Sequence, residues 1–107
     1  MFKNYRRYPR YPIYAKAVIT RLNSGSQERL TTQVNNISQG GMGVYTQEHM
    51  KKNTPVSVKL LFHGMAAEDI LEGRIASVCP QENDYFVGIA FNLEIPYDRF
   101  VEIVSME

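Results

Sequence analysis

The alternation of apolar and polar residues predicts an all-β fold: a six-stranded antiparallel barrel with a short C-terminal helix and a flexible N-terminal arm. Three observations carry that expectation. Period-two runs recur six times, the breaks between them are short and polar, and the last apolar residues change to spacings of three and four. Strands joined by short turns favour closure, because a barrel leaves no sheet edge exposed.

The elements follow in order. Ile13, Ala15, Ala17 and Ile19 alternate with Tyr14, Lys16, Val18 and Thr20, the pattern of a half-buried strand. Asn23-Ser24-Gly25-Ser26 is a turn cluster, and Leu30, Thr32 and Val34 then mark a second strand. Ile37 breaks the parity of that strand just where a loop at Asn36 begins. Met42 to Thr46 is a third, shorter strand. After the polar break Lys51-Lys52-Asn53-Thr54-Pro55, residues Val56, Val58, Leu60 and Phe62 alternate again, and His63-Gly64-Met65 ends that strand. Ile70 to Cys79 is a fifth strand, with Leu71, Ile75 and Cys79 expected on one face. A turn at 80–84 leads to the sixth, with Tyr85, Val87, Ile89 and Phe91 on one face. Pro96 suits the first turn of a helix, and Tyr97, Phe100, Val101 and Val104 supply its apolar stripe. A helix this short is marginal alone, so the stripe should dock on the barrel.

The 107 residues read as one domain: an arm over 1–12, a barrel over 13–92 and a helix over 96–106. No apolar run reaches the ~18 residues of a membrane span, and the N-terminus lacks a secretory pattern. The single cysteine, Cys79, excludes an internal disulfide and fits a cytoplasmic protein. His49 and His63 have no partners at metal-ligand spacing, so no metal site is expected. No nucleophile motif accompanies them either, and no catalytic residue or cofactor is assigned.

Charge is unevenly spread. Lys3, Arg6, Arg7, Arg10, Lys16 and Arg21 precede the first acid, Glu28, so a basic head joins an acidic body. That asymmetry points to an anionic partner for the head. Arginine offers a planar donor fork that matches phosphate oxygens and the O6/N7 edge of guanine. Pro9 and Pro12 bias the segment to extended or turn geometry, and an extended arm can present Arg6 and Arg10 from different sides. About thirty residues later, Asn36-Ile37-Ser38-Gln39-Gly40-Gly41 places an amide, a hydroxyl and two glycines in one loop. The Asn36 amide can both donate to and accept from a base edge. Gly40 and Gly41 would permit positive φ and close backbone approach. The same residues also make an ordinary β-turn, so the loop alone does not assign a site.

Taken together the two segments resemble the PilZ domain family, whose signature is Arg-x-x-x-Arg before the first strand and Asp/Asn-x-Ser-x-x-Gly after the second. Arg6 and Arg10 match the first motif; Asn36, Ser38 and Gly41 match the second. The resemblance covers almost the whole chain and implies binding of cyclic di-GMP without catalysis. It implies that Arg6 and Arg10, with Arg7 beside them, fold over the ligand while Asn36, Ser38, Gly40 and Gly41 hold a guanine on the barrel. Asn36 stands where Asp is more frequent, which gives up a charge-assisted contact. Tyr5 occupies the place that influences whether one or two ligands stack, and leaves that number open. Ligand binding is expected to order the arm and signal to an unidentified protein partner, as a monomer or homodimer. The alternative is a PilZ-like interaction module that binds no nucleotide. DNA or RNA is not an expected partner, because the acidic body opposes tracking along a strand.

Overall fold

The computed structural model describes residues 8–22 and 28–107. Eight strands and one helix occur among them. They are β1 (Tyr11–Pro12), β2 (Lys16–Arg21), β3 (Arg29–Ile37), β4 (Gly41–Thr46), β5 (Pro55–Phe62), β6 (Met65–Ala66), β7 (Leu71–Pro80), β8 (Tyr85–Phe91) and α1 (Tyr97–Val104). Six of the strands close a ring by antiparallel pairing in the order β3, β2, β5, β7, β8, β4 and back to β3. This is the expected six-stranded barrel. The two-residue strands are additions to it: β1 pairs with the end of β3, and β6 folds back on β5. The β5–β6 hairpin turns through His63 and Gly64, both at positive φ, the requirement of a two-residue hairpin loop.

Period-two patterning is realised most cleanly in β5, where Val56, Val58, Leu60 and Phe62 are all buried. Ile13, Ala15, Ala17 and Ile19 also point inward, although the ladder of β2 begins only at Lys16. Two bulges change the phase elsewhere. In β3 the pairing with β4 slips between Val34 and Asn36, so Val34 and Ile37 both face the core. The extra residue, Asn35, accounts for the parity break in the sequence. In β7 the slip falls between Ile75 and Ser77. Val78 then turns toward the core and Cys79 is exposed, so Cys79 does not share a face with Ile75 as alternation alone implied.

The helix closes one end of the barrel, but it is rotated from the expected stripe. Phe100 and Ile103 are buried and Val104 packs partly against the core, whereas Tyr97 is 64% and Val101 41% exposed. The apolar arc of α1 is wider than the face that docks, and a bridge from its flank helps select the orientation. Arg99 hydrogen-bonds both carboxylate oxygens of Asp69, which precedes β7, and also reaches Glu102 at 3.1 Å. The Arg99 hydrogen bond lowers the Asp69 pKa from its ordinary value of 3.8 against the opposing effect of burial, and the same pairing raises that of Arg99. Regular helix ends at Val104, where the Ser105 hydroxyl donates back to the Val101 carbonyl at 2.7 Å.

Candidate functional site

The β3 bulge sets the position of Asn36. With Val34 and Ile37 both inward, Asn36 lies on the outer face, paired with Gly43 of β4. Gly43 pairs in turn with Gly88 of β8, and Gly88 with Ser77 of β7. A single transverse row, Asn36–Gly43–Gly88–Ser77, therefore crosses four strands on the outside of the barrel. Its middle has no side chains. The result is a trough with a polar group at each end, and both bulges lie beside it.

The neighbouring row forms one wall. Tyr45 and Phe86 are paired across β4 and β8, with ring centroids 5.1 Å apart. Phe86 leans over the trough: a Cβ on Gly43 would sit 2.6 Å from its Cζ and 3.3 Å from Asn36 Nδ2. The concavity has a volume of about 280 Å³ and is lined also by Arg10, Ser38, Gly41 and Ala76, with Met42 and Ile89 beneath. Arg10 is the one charged side chain among the described residues that line it, and no carboxylate does. The cavity is therefore suited to an anion carrying a flat, polar-edged ring.

The β3–β4 turn supports this surface from below. Ser38 is buried, and its hydroxyl is engaged within the turn. It donates to the Gly41 carbonyl at 3.3 Å and accepts from the Gly40 N–H at 3.2 Å, while the Ser38 N–H also donates to the Gly41 carbonyl at 2.8 Å. Neither Gly40 nor Gly41 has positive φ; the left-handed positions among the described residues are Asn53, His63 and Gly64. Space is what these two glycines provide. A Cβ on Gly41 would lie 2.4 Å from the Ile89 carbonyl oxygen, and one on Gly40 would lie 3.2 Å from the Tyr8 ring.

Of the residues singled out from sequence, Arg10, Asn36, Ser38 and Gly41 come together around the cavity, with Gly40 just beside it under Tyr8. Arg6 and Arg7 lie outside the described residues, as do Tyr5 and the 23–26 turn cluster. Sequence reasoning missed Gly43, Ser77, Phe86 and Gly88. The two glycines carried a usable signal, since glycine inside a strand marks a close approach. Ser77 carried none, because the β7 bulge decides which way it points. Among the described residues no group of His, Cys, Asp or Glu is placed to hold a metal ion, and no helix is long and apolar enough to cross a membrane.

The turn also reaches the helix. Gly40 accepts at its carbonyl from Phe91 N–H at 2.9 Å, and Gln39 is doubly bonded to Ile95, just before α1. From the N-terminal side, Tyr11 meets Phe100 of α1 with ring centroids 5.5 Å apart.

The sequence matches the PilZ domain over residues 4–104. No curated protein matches the chain. Among solved structures it is similar to the PilZ domain with c-di-GMP of YcgR from Escherichia coli. That likeness has a TM-score of 0.69 at 14% identity and covers 92% of this chain and 88% of the other. It is also similar to the Bacillus subtilis inhibitor of motility MotI/DgrA (TM-score 0.68, 14% identity), covering 90% of this chain but 46% of that one. The PilZ domain of CeSA from a cellulose-synthesizing bacterium aligns at TM-score 0.59 and 19% identity, over 90% of this chain and 94% of that one. At these identities the likenesses show a shared fold.

Proposed function

The chain belongs to the PilZ domain family, and from that premise we propose that it is a receptor for cyclic di-GMP that signals to a protein partner. The observation that carries this reading is convergence. Arg10 from the N-terminal motif and Asn36, Ser38 and Gly41 from the second motif line one cavity, although 26 residues of sequence separate Arg10 from Asn36. PilZ domains are receptor modules rather than enzymes.

Each residue then has a physical role. The Arg10 guanidinium, on the cavity wall, pairs with a phosphate of the dianionic ring. Arg6 and Arg7 bring further positive charge to the same anion, so the arm orders upon the ligand. The Asn36 amide, on the outer face, meets a guanine edge with one donor and one acceptor. Ser38 and Gly41 act indirectly: they fix the turn that presents Asn36 and keep the strand ends close.

The same contacts supply an output route. Tyr8 lies against Gly40, Tyr11 against Phe100, and Gln39 against Ile95, so an arm fixed by ligand stiffens both supports of α1. Leu93, Tyr97 and Val101 stand exposed on and beside that helix and offer an apolar contact to a partner.

Calorimetric titration of cyclic di-GMP into the wild type and Arg10→Ala tests the reading. The wild type should bind, and the variant should lose about 2–4 kcal/mol, roughly 30- to 900-fold in affinity. Equal affinities for the two proteins contradict the site, and an absence of binding to the wild type contradicts the function.

A further inference from the structure

Resting on that reading, we propose that Ser77 of β7 is a further ligand-binding residue, which holds the opposite edge of the purine that Asn36 engages, across the cavity that spans the Gly43–Gly88 pair. The Arg-x-x-x-Arg and Asn-x-Ser-x-x-Gly segments do not include β7 at all.

The register carries the argument. Asn36 and Ser77 end the same transverse row, three inter-strand steps apart, or about 14 Å between Cα atoms before curvature. Two side chains reaching inward from those ends leave a gap of the order of one bicyclic base. Ser77 does reach inward: its hydroxyl oxygen lies 2.5 Å from where a Cβ on Gly88 would be, so it overhangs the floor.

The two floor glycines differ in kind from the others in these strands. Gly41 and Gly73 are imposed by backbone, since a Cβ at either would meet a neighbouring carbonyl oxygen at 2.4 or 2.1 Å. At Gly43 and Gly88 the nearest atoms are side chains, those of Phe86 and Ser77. The barrel itself does not demand glycine there. What glycine leaves at those positions is taken up by the edge of the Phe86 ring and by the Ser77 hydroxyl, and those two side chains line the cavity together with the glycines beneath them.

The chemistry at the two ends is complementary to guanine. Among the described residues neither the Asn36 amide nor the Ser77 hydroxyl forms a hydrogen bond, so both retain their capacity. Guanine carries N–H donors on one edge and the O6 and N7 acceptors on the other. Asn36 can accept from the first edge while the Ser77 hydroxyl donates to the second. Phe86, braced by Tyr45, closes the slot along the strand direction with an aromatic surface.

The test uses the intact chain, cyclic di-GMP, and the variants Ser77→Ala, Ser77→Leu and Arg10→Ala. Ser77 is exposed on the barrel exterior, so the melting temperatures of both Ser77 variants without ligand should match the wild type. Ser77→Ala should weaken binding about 3- to 10-fold, the effect of one lost hydrogen bond. Ser77→Leu fills the slot and should weaken it far more, toward no detectable binding. Wild-type affinity in Ser77→Leu, alongside a loss in Arg10→Ala, overturns the slot and leaves the receptor reading standing. Wild-type affinity in Ser77→Ala alone overturns the hydroxyl contact. No binding by any of the proteins overturns both.

Discussion

Gln39 and Ile95 hold each other at both ends: the Ile95 N–H donates to the Gln39 carbonyl at 2.8 Å, and the Gln39 Nε2 donates to the Ile95 carbonyl at 2.9 Å. A residue of the second motif is thereby clipped to the segment that launches α1. Replacing Gln39 by Ala removes the side-chain half of the clip, a loss of about 1 kcal/mol. For a domain of this size that corresponds to a melting temperature lower by about 4–8 °C. Hydrogen exchange should show the added opening concentrated in α1, and uniform loosening of the barrel would contradict the clip.

Ser38 makes its hydrogen bonds inside the turn, so its removal should act on stability before affinity. Ser38→Ala leaves the half-buried Gly40 N–H without its acceptor and removes the buried hydroxyl's bond to Gly41, and should destabilise by about 1–2 kcal/mol. Urea denaturation measures this directly. A variant with wild-type stability and strongly reduced cyclic di-GMP affinity would instead assign Ser38 to direct ligand contact.

Gly41→Ala drives a methyl group to 2.4 Å from the Ile89 carbonyl, a backbone atom that cannot swing aside. The strands must separate locally, at about 1–3 kcal/mol. The change should lower the urea midpoint and weaken ligand binding together, because β4 and β8 carry the floor. An unaltered midpoint would show that the strands relax there without penalty.

The docking of α1 should weaken in acid. The Arg99 hydrogen bond holds the Asp69 carboxyl below its ordinary value of 3.8, so the unfolded chain takes up the proton more readily. The stabilisation is complete above the unfolded value and is lost as pH falls through the lower folded value. Comparing Asp69→Asn with the wild type isolates it. The difference in melting temperature should be constant near neutrality and shrink below about pH 4. A difference that grows on acidification contradicts the assignment.

How much of this was legible depended on whether a feature is local. Val56, Val58, Leu60 and Phe62 announced β5 because alternation alone determines which of them are buried. Asn36, Ser38 and Gly41 announced the loop because turn chemistry confines them to few conformations. Cys79 falls on the other face from the one its parity implied, and Ser77 gave no local sign, since one extra residue at the β7 bulge reverses every side chain after it. The orientation of α1 was likewise hidden. Phe100, Ile103, Val104, Tyr97 and Val101 form one broad apolar arc, and the contact between Arg99 and Asp69, 30 residues apart, helps select its docked part. Phe86 falls on the opposite parity from Tyr85, Val87, Ile89 and Phe91, and nothing local to the sixth strand places its ring over Gly43.

The central claim is that both sequence motifs serve one ligand on the outer face of β4 and β8. Backbone amide NMR shifts during titration with cyclic di-GMP address it most directly. The account predicts saturable perturbations centred on Arg10, Asn36, Gly43, Ser77 and Gly88, spreading through Gln39 to Ile95. Saturating ligand that leaves those amides unmoved, or that perturbs a different face of the barrel, contradicts it.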